Sequence, residues 1–133
     1  MLGMLIVEMT RLDGQLTTGA SAKDAEHLER LLVESGKPYC VVRAWVVVEA
    51  TPFYGNTIAV GDNAPMIMYA HHAVSHSTGA VKSGEAVCSG YALKYDGRGV
   101  LETVDTVYVL LGNGYRKRAS PNTISAFLAP AMD

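Results

Sequence analysis

Apolar and polar positions alternate most clearly in YCVVRAWVVVEA, residues 39–50. Taking every second residue gives one apolar or small face, Cys40, Val42, Ala44, Val46 and Val48. The other face, Tyr39, Val41, Arg43, Trp45, Val47 and Glu49, is mixed. A period of two predicts a strand, packed on a helix through the first face and partly wet on the second. Just upstream the period changes. In SAKDAEHLERLLVESGKP, Ala25, Leu28, Leu31, Leu32 and Ser35 follow i, i+3, i+4 spacing, which predicts a helix. Ser21 is placed to cap it, with Asp24 three residues on, and Gly36 and Pro38 to stop it.

The remaining elements follow from shorter signals. The apolar run MLGMLIVEM reads as a first strand and RLDGQLTTGA as turn chemistry. TPFYGNTIAVGDNAP is a long connection with room for a short strand at Thr57–Val60. PMIMYAHHAV predicts a strand and SHSTGAVKSG a polar loop. Next, EAVCSGYALKYDGRGVLETVDTVYVLLGNGYRK reads as a hairpin around Asp96-Gly97-Arg98-Gly99, with a second tight turn at Gly112-Asn113-Gly114. Ser120 and Pro121 open a short closing helix with Ile124, Phe127 and Leu128 inward. The expectation is one α+β domain spanning residues 1–133. It has a mainly antiparallel sheet of about five strands, one N-terminal helix and a short C-terminal helix.

Composition narrows the functional classes. A chain of 133 residues suits one domain with its own core. Its 49% apolar and 18% charged residues are globular rather than disordered. A net charge of -2 lacks the basic excess of a dedicated nucleic-acid binder. No run reaches the roughly 20 apolar residues of a membrane-spanning helix, and no basic leader precedes the first apolar stretch. The expected location is therefore cytoplasmic. Cys40 and Cys88 lie in apolar strand patterns without CxxC spacing, so two buried reduced thiols are expected, although spacing alone does not decide between thiols and a disulfide.

Candidate chemistry is sparse. MYAHHAVSHS, residues 68–77, holds three of the four histidines. On a strand, His71 and His72 point to opposite faces and cannot chelate one ion, and no zinc-like spacing follows, so no metal or cofactor is expected. A small enzyme would use His71 or His72, paired with Ser75 or Asp62, as acid or base. No nucleophile elbow supports it. Asp105 falls on the face of Leu101, Thr103, Val107, Val109 and Leu111, which calls for a partner such as Arg43 or Lys94, or for a functional role. Tyr115, Arg116, Lys117 and Arg118 are the only basic concentration and mark a nucleic-acid or nucleotide site, although three charges give little affinity at physiological salt. Tyr39, Arg43 and Trp45 are the residue types that anchor protein interfaces.

Three segments, PYCVVRAWVVVE, PMIMYAHHAVSHSTG and LETVDTVYVLLGNGYRK, resemble a family of short uncharacterised proteins of pseudomonads and their phages. The likeness runs from about Tyr39 to Ser120. It is carried by Cys40, Arg43 and Trp45, by Tyr69, Ala70 and His71, and by Thr106–Gly112 with Arg116 and Lys117. At SGEAVCSGYA this chain has Gly84, Glu85, Ala86 and Cys88 where the family tends to an aromatic residue and an arginine. The resemblance implies a bacterial or phage origin and an accessory role, with no site residues to carry over. Taken together, the expectation is a non-catalytic protein that binds another protein, plausibly a host factor or a second copy of itself.

Overall fold

The computed structural model describes residues 2–51 and 65–128, with side chains from residue 6 onward. The predicted strand at Thr57–Val60 and the candidate Asp62 lie outside these residues. The elements run α1 (Leu2–Thr10), β1 (Gln15–Thr18), α2 (Ala22–Ser35), β2 (Tyr39–Ala50), β3 (Met66–His76), β4 (Val87–Cys88), β5 (Lys94–Tyr95), β6 (Val100–Glu102), β7 (Val107–Leu110), β8 (Asn113–Ala119) and α3 (Pro121–Leu128). The α+β class stands. The sheet, however, is mixed rather than mainly antiparallel, and it has eight strands among the described residues rather than about five.

The central strand β2 explains the difference. Antiparallel β3 lies along one edge, followed by β4. On the other edge, β7 runs parallel to the first half of β2 and β8 parallel to the second half. Residues 107–119 are thus one nearly continuous strand, and Gly112-Asn113-Gly114 is not a reversing turn. The register moves from Val42 opposite Leu110 to Val46 opposite Tyr115, so the β7–β8 side holds one extra residue. Gly112, at φ 76, absorbs it in a conformation that suits a glycine bulge. β6 and β5 extend the sheet from β7, and β1 extends it from β8.

Within β2 the two-residue alternation slips. Ala44 sits at φ 55, in the left-handed region, and this inverts which side chains share a face. Trp45 and Val47 join Cys40 and Val42, whereas Val46, Val48 and Ala50 face the opposite way. The first group meets Met68, Ala70, Ala73, Leu101, Tyr108 and Leu110, a cluster made wholly of strand residues, so the curled sheet closes on itself. On the outer face, α1 and α3 bring Met9 and Ile124 onto Val46, Val48, Ala50 and Ile67. α2 brings Ala25, Leu28 and Leu32 onto Val41 and Val109. β2 is covered on both faces, and this replaces the partly wet face expected from its pattern.

The helices divide by the clarity of their signals. α2 forms as its periodicity predicts. Ser21 Oγ accepts from Asp24 N at 3.0 Å, and Gly36 closes the helix at φ 75. In α3, Ser120 Oγ accepts from Thr123 N at 3.0 Å and Ile124 is fully buried. Residues 2–10 form a helix instead of the expected first strand. Their apolar run has no alternation, so it cannot discriminate between the two structures, and packing on α3 and β3 selects the helix. Gln15–Thr18, read as turn chemistry, is a strand because β8 offers it an antiparallel partner.

Candidate functional site

A cleft of about 430 Å³ opens where the second half of β2, the start of β3, the β5–β6 hairpin and β8 converge. Met66, Ala92, Leu93 and Val100 supply its apolar walls, and Glu49, Lys94, Tyr95, Asp96, Glu102 and Arg116 supply its polar groups. The predicted Asp96–Gly99 hairpin builds one side: Asp96 Oδ1 accepts from the backbone N–H of Arg98 at 2.8 Å and of Val100 at 3.0 Å. The parallel β2–β8 register builds the other side, placing Arg116 opposite Val47 and two residues from Glu49 in pairing terms. Arg116 Nη2 donates to Glu49 Oε1 at 3.4 Å, and its guanidinium lies over the Tyr95 ring, 5.4 Å from the centroid. Glu102 accepts from Lys37, whose ammonium holds that carboxyl below its ordinary range.

Tyr95 is partly buried, and burial raises its phenol pKa. Its Oη is fully enclosed and has no hydrogen-bond partner among the described residues. The ring therefore serves as wall and platform, while its hydroxyl points into the fold. Of the candidates from the sequence, Arg116 lies in this cleft, together with Lys94, which the sequence offers only as a partner of Asp105. The pairing of Glu49 with Arg116 could not be found from local pattern, because it needs a parallel register between segments about 67 residues apart, the separation of the two numbers.

The structure scatters the other candidates. His71 is exposed, 2.6 Å from the Thr10 carbonyl oxygen through Nε2 and edge-on to Tyr69. His72 is exposed opposite Arg43 in the β2–β3 ladder. His76 Nδ1 accepts from the Thr78 backbone N–H at 3.2 Å, a loop contact. Neither Ser75 nor an acid is hydrogen-bonded to His71 or His72 among the described residues, and no three His, Cys, Asp or Glu side chains there converge as metal ligands would. Both thiols are free, and burial pushes Cys40 and Cys88 up to about 11, far from a reactive thiolate.

Asp105 is not on a strand. It sits in the turn between β6 and β7, exposed, where Thr103 Oγ1 and Thr106 Oγ1 donate to its Oδ1 at 3.2 and 3.1 Å. The expected need for Arg43 or Lys94 disappears, because the run LETVDTVYVLL bends at this point. Nor does the chain gather Tyr39, Arg43 and Trp45 on one surface. The flip at Ala44 buries Trp45 completely, leaves Arg43 exposed, and Tyr39 packs against the cluster beneath α2.

The basic run also divides between faces. Arg116 turns to the cleft, whereas Lys117 reaches the end of α1. There its Nζ donates to the Glu8 carbonyl, to the Arg11 carbonyl at 2.9 Å and to Asp13 Oδ1 at 2.9 Å. That contact holds the Asp13 carboxyl below its ordinary value. Only Arg118 is exposed, and Tyr115 packs against the cluster beneath α1 and α3.

Residues 17–126 match the family model described as a domain of unknown function, DUF6957. The match begins well before Tyr39 and so takes in the end of β1, from Thr17, and all of α2 as well as the later strands. No curated protein and no solved structure matches the chain. Among the described residues, no helix is long and apolar enough to cross a membrane.

Proposed function

The chain belongs to the DUF6957 family, and we propose that it acts by binding another protein rather than by catalysis. The observation that carries this reading is an unequal use of side chains. Most reactive types are occupied or sealed, His71 by the Thr10 carbonyl, Cys40 and Cys88 by burial and Asp105 by its own turn, while His72 is exposed with neither Ser75 nor an acid hydrogen-bonded to it among the described residues. Around the cleft the reverse holds. Leu93, in the cleft lining, is 62% exposed, Tyr91 two residues before it in sequence is 46% exposed, and Arg116 lines the same cleft over the Tyr95 ring. Aromatic residues and arginine, set beside apolar surface, are what protein interfaces draw most of their energy from. This rim takes over the role first assigned to Tyr39, Arg43 and Trp45.

The nucleic-acid reading of Tyr115–Arg118 draws less support, since Arg116 and Lys117 diverge to opposite faces of β8 and a phosphate backbone needs several cations on one surface. The finer form of the proposal, a phage-encoded modulator of a host defence complex, rests on the family resemblance alone. The test is affinity capture from a nuclease-treated bacterial lysate, with the wild type beside a Tyr91→Ser, Leu93→Ser double variant of unchanged melting temperature. A stoichiometric protein captured by the wild type and lost by the variant supports the reading. Capture that survives the double substitution, or that requires nucleic acid, overturns it.

A further inference from the structure

The polar groups of the cleft are unequally satisfied, and the imbalance has a sign. Each carboxylate is engaged: Glu49 Oε1 accepts from Arg116, Glu102 Oε2 accepts from Lys37, and Asp96 Oδ1 accepts from two backbone N–H groups of its turn. The cations are less fully engaged: among the described residues Arg116 makes one side-chain hydrogen bond, the same 3.4 Å contact to Glu49, from a guanidinium that carries five N–H donors. Lys94 stands across from Glu102 in the β5–β6 ladder, but Glu102 is held by Lys37, and Lys94 forms no ion pair within 4 Å among the described residues. Apart from the enclosed Tyr95 hydroxyl, the side-chain donors left without a partner in the cleft, among the described residues, therefore carry positive charge.

From this we infer that the cleft is a binding site for a small organic anion, its carboxylate or equivalent acid received by Arg116 and Lys94. The guanidinium lies over the Tyr95 ring, 5.4 Å from its centroid, a contact that restricts it and limits the entropy lost when its fork receives a planar acid. Met66, Ala92, Leu93 and Val100 then cover the apolar part of the ligand. The volume lies within the roughly 300–1,000 Å³ of small-molecule sites. Glu49 is the built-in competitor: it holds Arg116 while the site is empty and yields to a better-placed acid. Leu93 and Arg116 are shared with the proposed protein-binding rim, but the anion site is read by small-molecule binding and so fails or holds separately from partner capture.

Benzoate is a suitable probe, with benzyl alcohol and benzylamine as neutral and cationic counterparts. Binding is followed by amide shifts of Lys94, Tyr95 and Gly97 and by the Arg116 side-chain Nε–H signal. Benzoate should give saturable shifts centred on these groups, and neither counterpart should. Arg116→Gln should weaken benzoate at least about tenfold, the loss of one charge-assisted pair. Lys94→Met should weaken it by a smaller factor. Glu49→Gln should tighten it, because the competing carboxylate is gone. Absent or unsaturable shifts, equal binding of benzylamine, or a Glu49→Gln variant that does not bind more tightly would overturn the assignment. If Arg116→Gln does not fold, the Lys94 and Glu49 variants decide the matter.

Discussion

Trp45 and Tyr95 are two aromatic rings on the same side of the sheet, both met by β8, and β8 treats them in opposite ways. Against Trp45 it presents Gly114: a Cβ built there would lie 2.3 Å from Trp45 Cδ2. Gly19 also meets the ring, with a Cβ 2.9 Å from Cζ2. Only hydrogen fits at either position, so the indole is seated directly against two stretches of backbone, and its Nε1 donates to the Leu111 carbonyl at 3.3 Å. Two residues further on, β8 presents Arg116, whose guanidinium covers Tyr95 and borders an open cleft. One strand thus seals the sheet at one end and equips it for recognition at the other. Side-chain size at alternate positions of a single strand sets the difference.

If the sealed end is the stability centre, Trp45→Ala is the most damaging single change in this comparison. Deleting a fully buried indole removes its transfer energy and leaves a cavity that the adjoining backbones cannot fill, a loss of about 3–5 kcal/mol. Urea unfolding measures it. A loss below about 1 kcal/mol would show that the ring is not a core element. Gly114→Ala attacks the same contact from the other partner. It forces the indole off its seat and should cost about 1–3 kcal/mol. Because the two residues touch, the double variant should lose less than the sum. Strict additivity would mean that ring and glycine do not act as a unit.

That seat also shows what the sequence could disclose. The α2 helix, the Ser21 and Ser120 caps, the Asp96–Gly99 turn and the inward face of α3 rest on neighbours within four residues, and the structure keeps them. Of the α2 stripe, however, Ala25, Leu28 and Leu32 turn inward while Leu31 and Ser35 are exposed. The choice of helix or strand for residues 2–10 and 15–18 depended on distant partners and went the other way. In β2 one residue, Ala44, moved Trp45 from the mixed face to the face of Cys40 and Val42, because a single left-handed residue inverts the parity on which face assignment rests. Alanine carries no mark of such a conformation. The cleft was hidden for a similar reason. The histidines are adjacent in sequence and part in space, whereas Glu49, Tyr95 and Arg116 are remote in sequence and meet through a parallel register.

The outer face of β8 extends the comparison, since Lys117 follows Arg116 yet is committed to the fold. Its ammonium ties the end of α1 and Asp13 to the sheet, with only 14% of its side chain exposed. Lys117→Met keeps the stem but loses these bonds, and should cost about 1–2 kcal/mol, less than full burial implies because Asp13 is 45% exposed and screened. Lys117 lowers the folded pKa of Asp13 below the ordinary 3.8. The pair therefore stabilises the protein above that pH, and the contribution is lost as pH falls through the folded value. The stability gap between wild type and Lys117→Met should narrow as pH falls through the folded Asp13 value, leaving the part due to the Glu8 and Arg11 carbonyls, which do not titrate. A constant gap down to pH 2 would mean that Asp13 is not the partner that matters.

The smallest effect is the most direct test of how the two rings differ. The Trp45 N–H is satisfied within the fold, and the Tyr95 O–H is buried without a partner among the described residues. A buried hydroxyl with no acceptor has given up its bonds to water and gained none, so removing it should relieve a penalty. Tyr95→Phe keeps the ring, and with it the platform for Arg116 and the wall of the cleft. It should therefore leave stability unchanged or raise it by up to about 1 kcal/mol, with the Arg116 side-chain signal unmoved in the NMR spectrum. A loss of more than about 1 kcal/mol would reveal an acceptor for that hydroxyl. The tyrosine would then be satisfied like the tryptophan, and the contrast between the two ends of the sheet would reduce to Gly114 against Arg116.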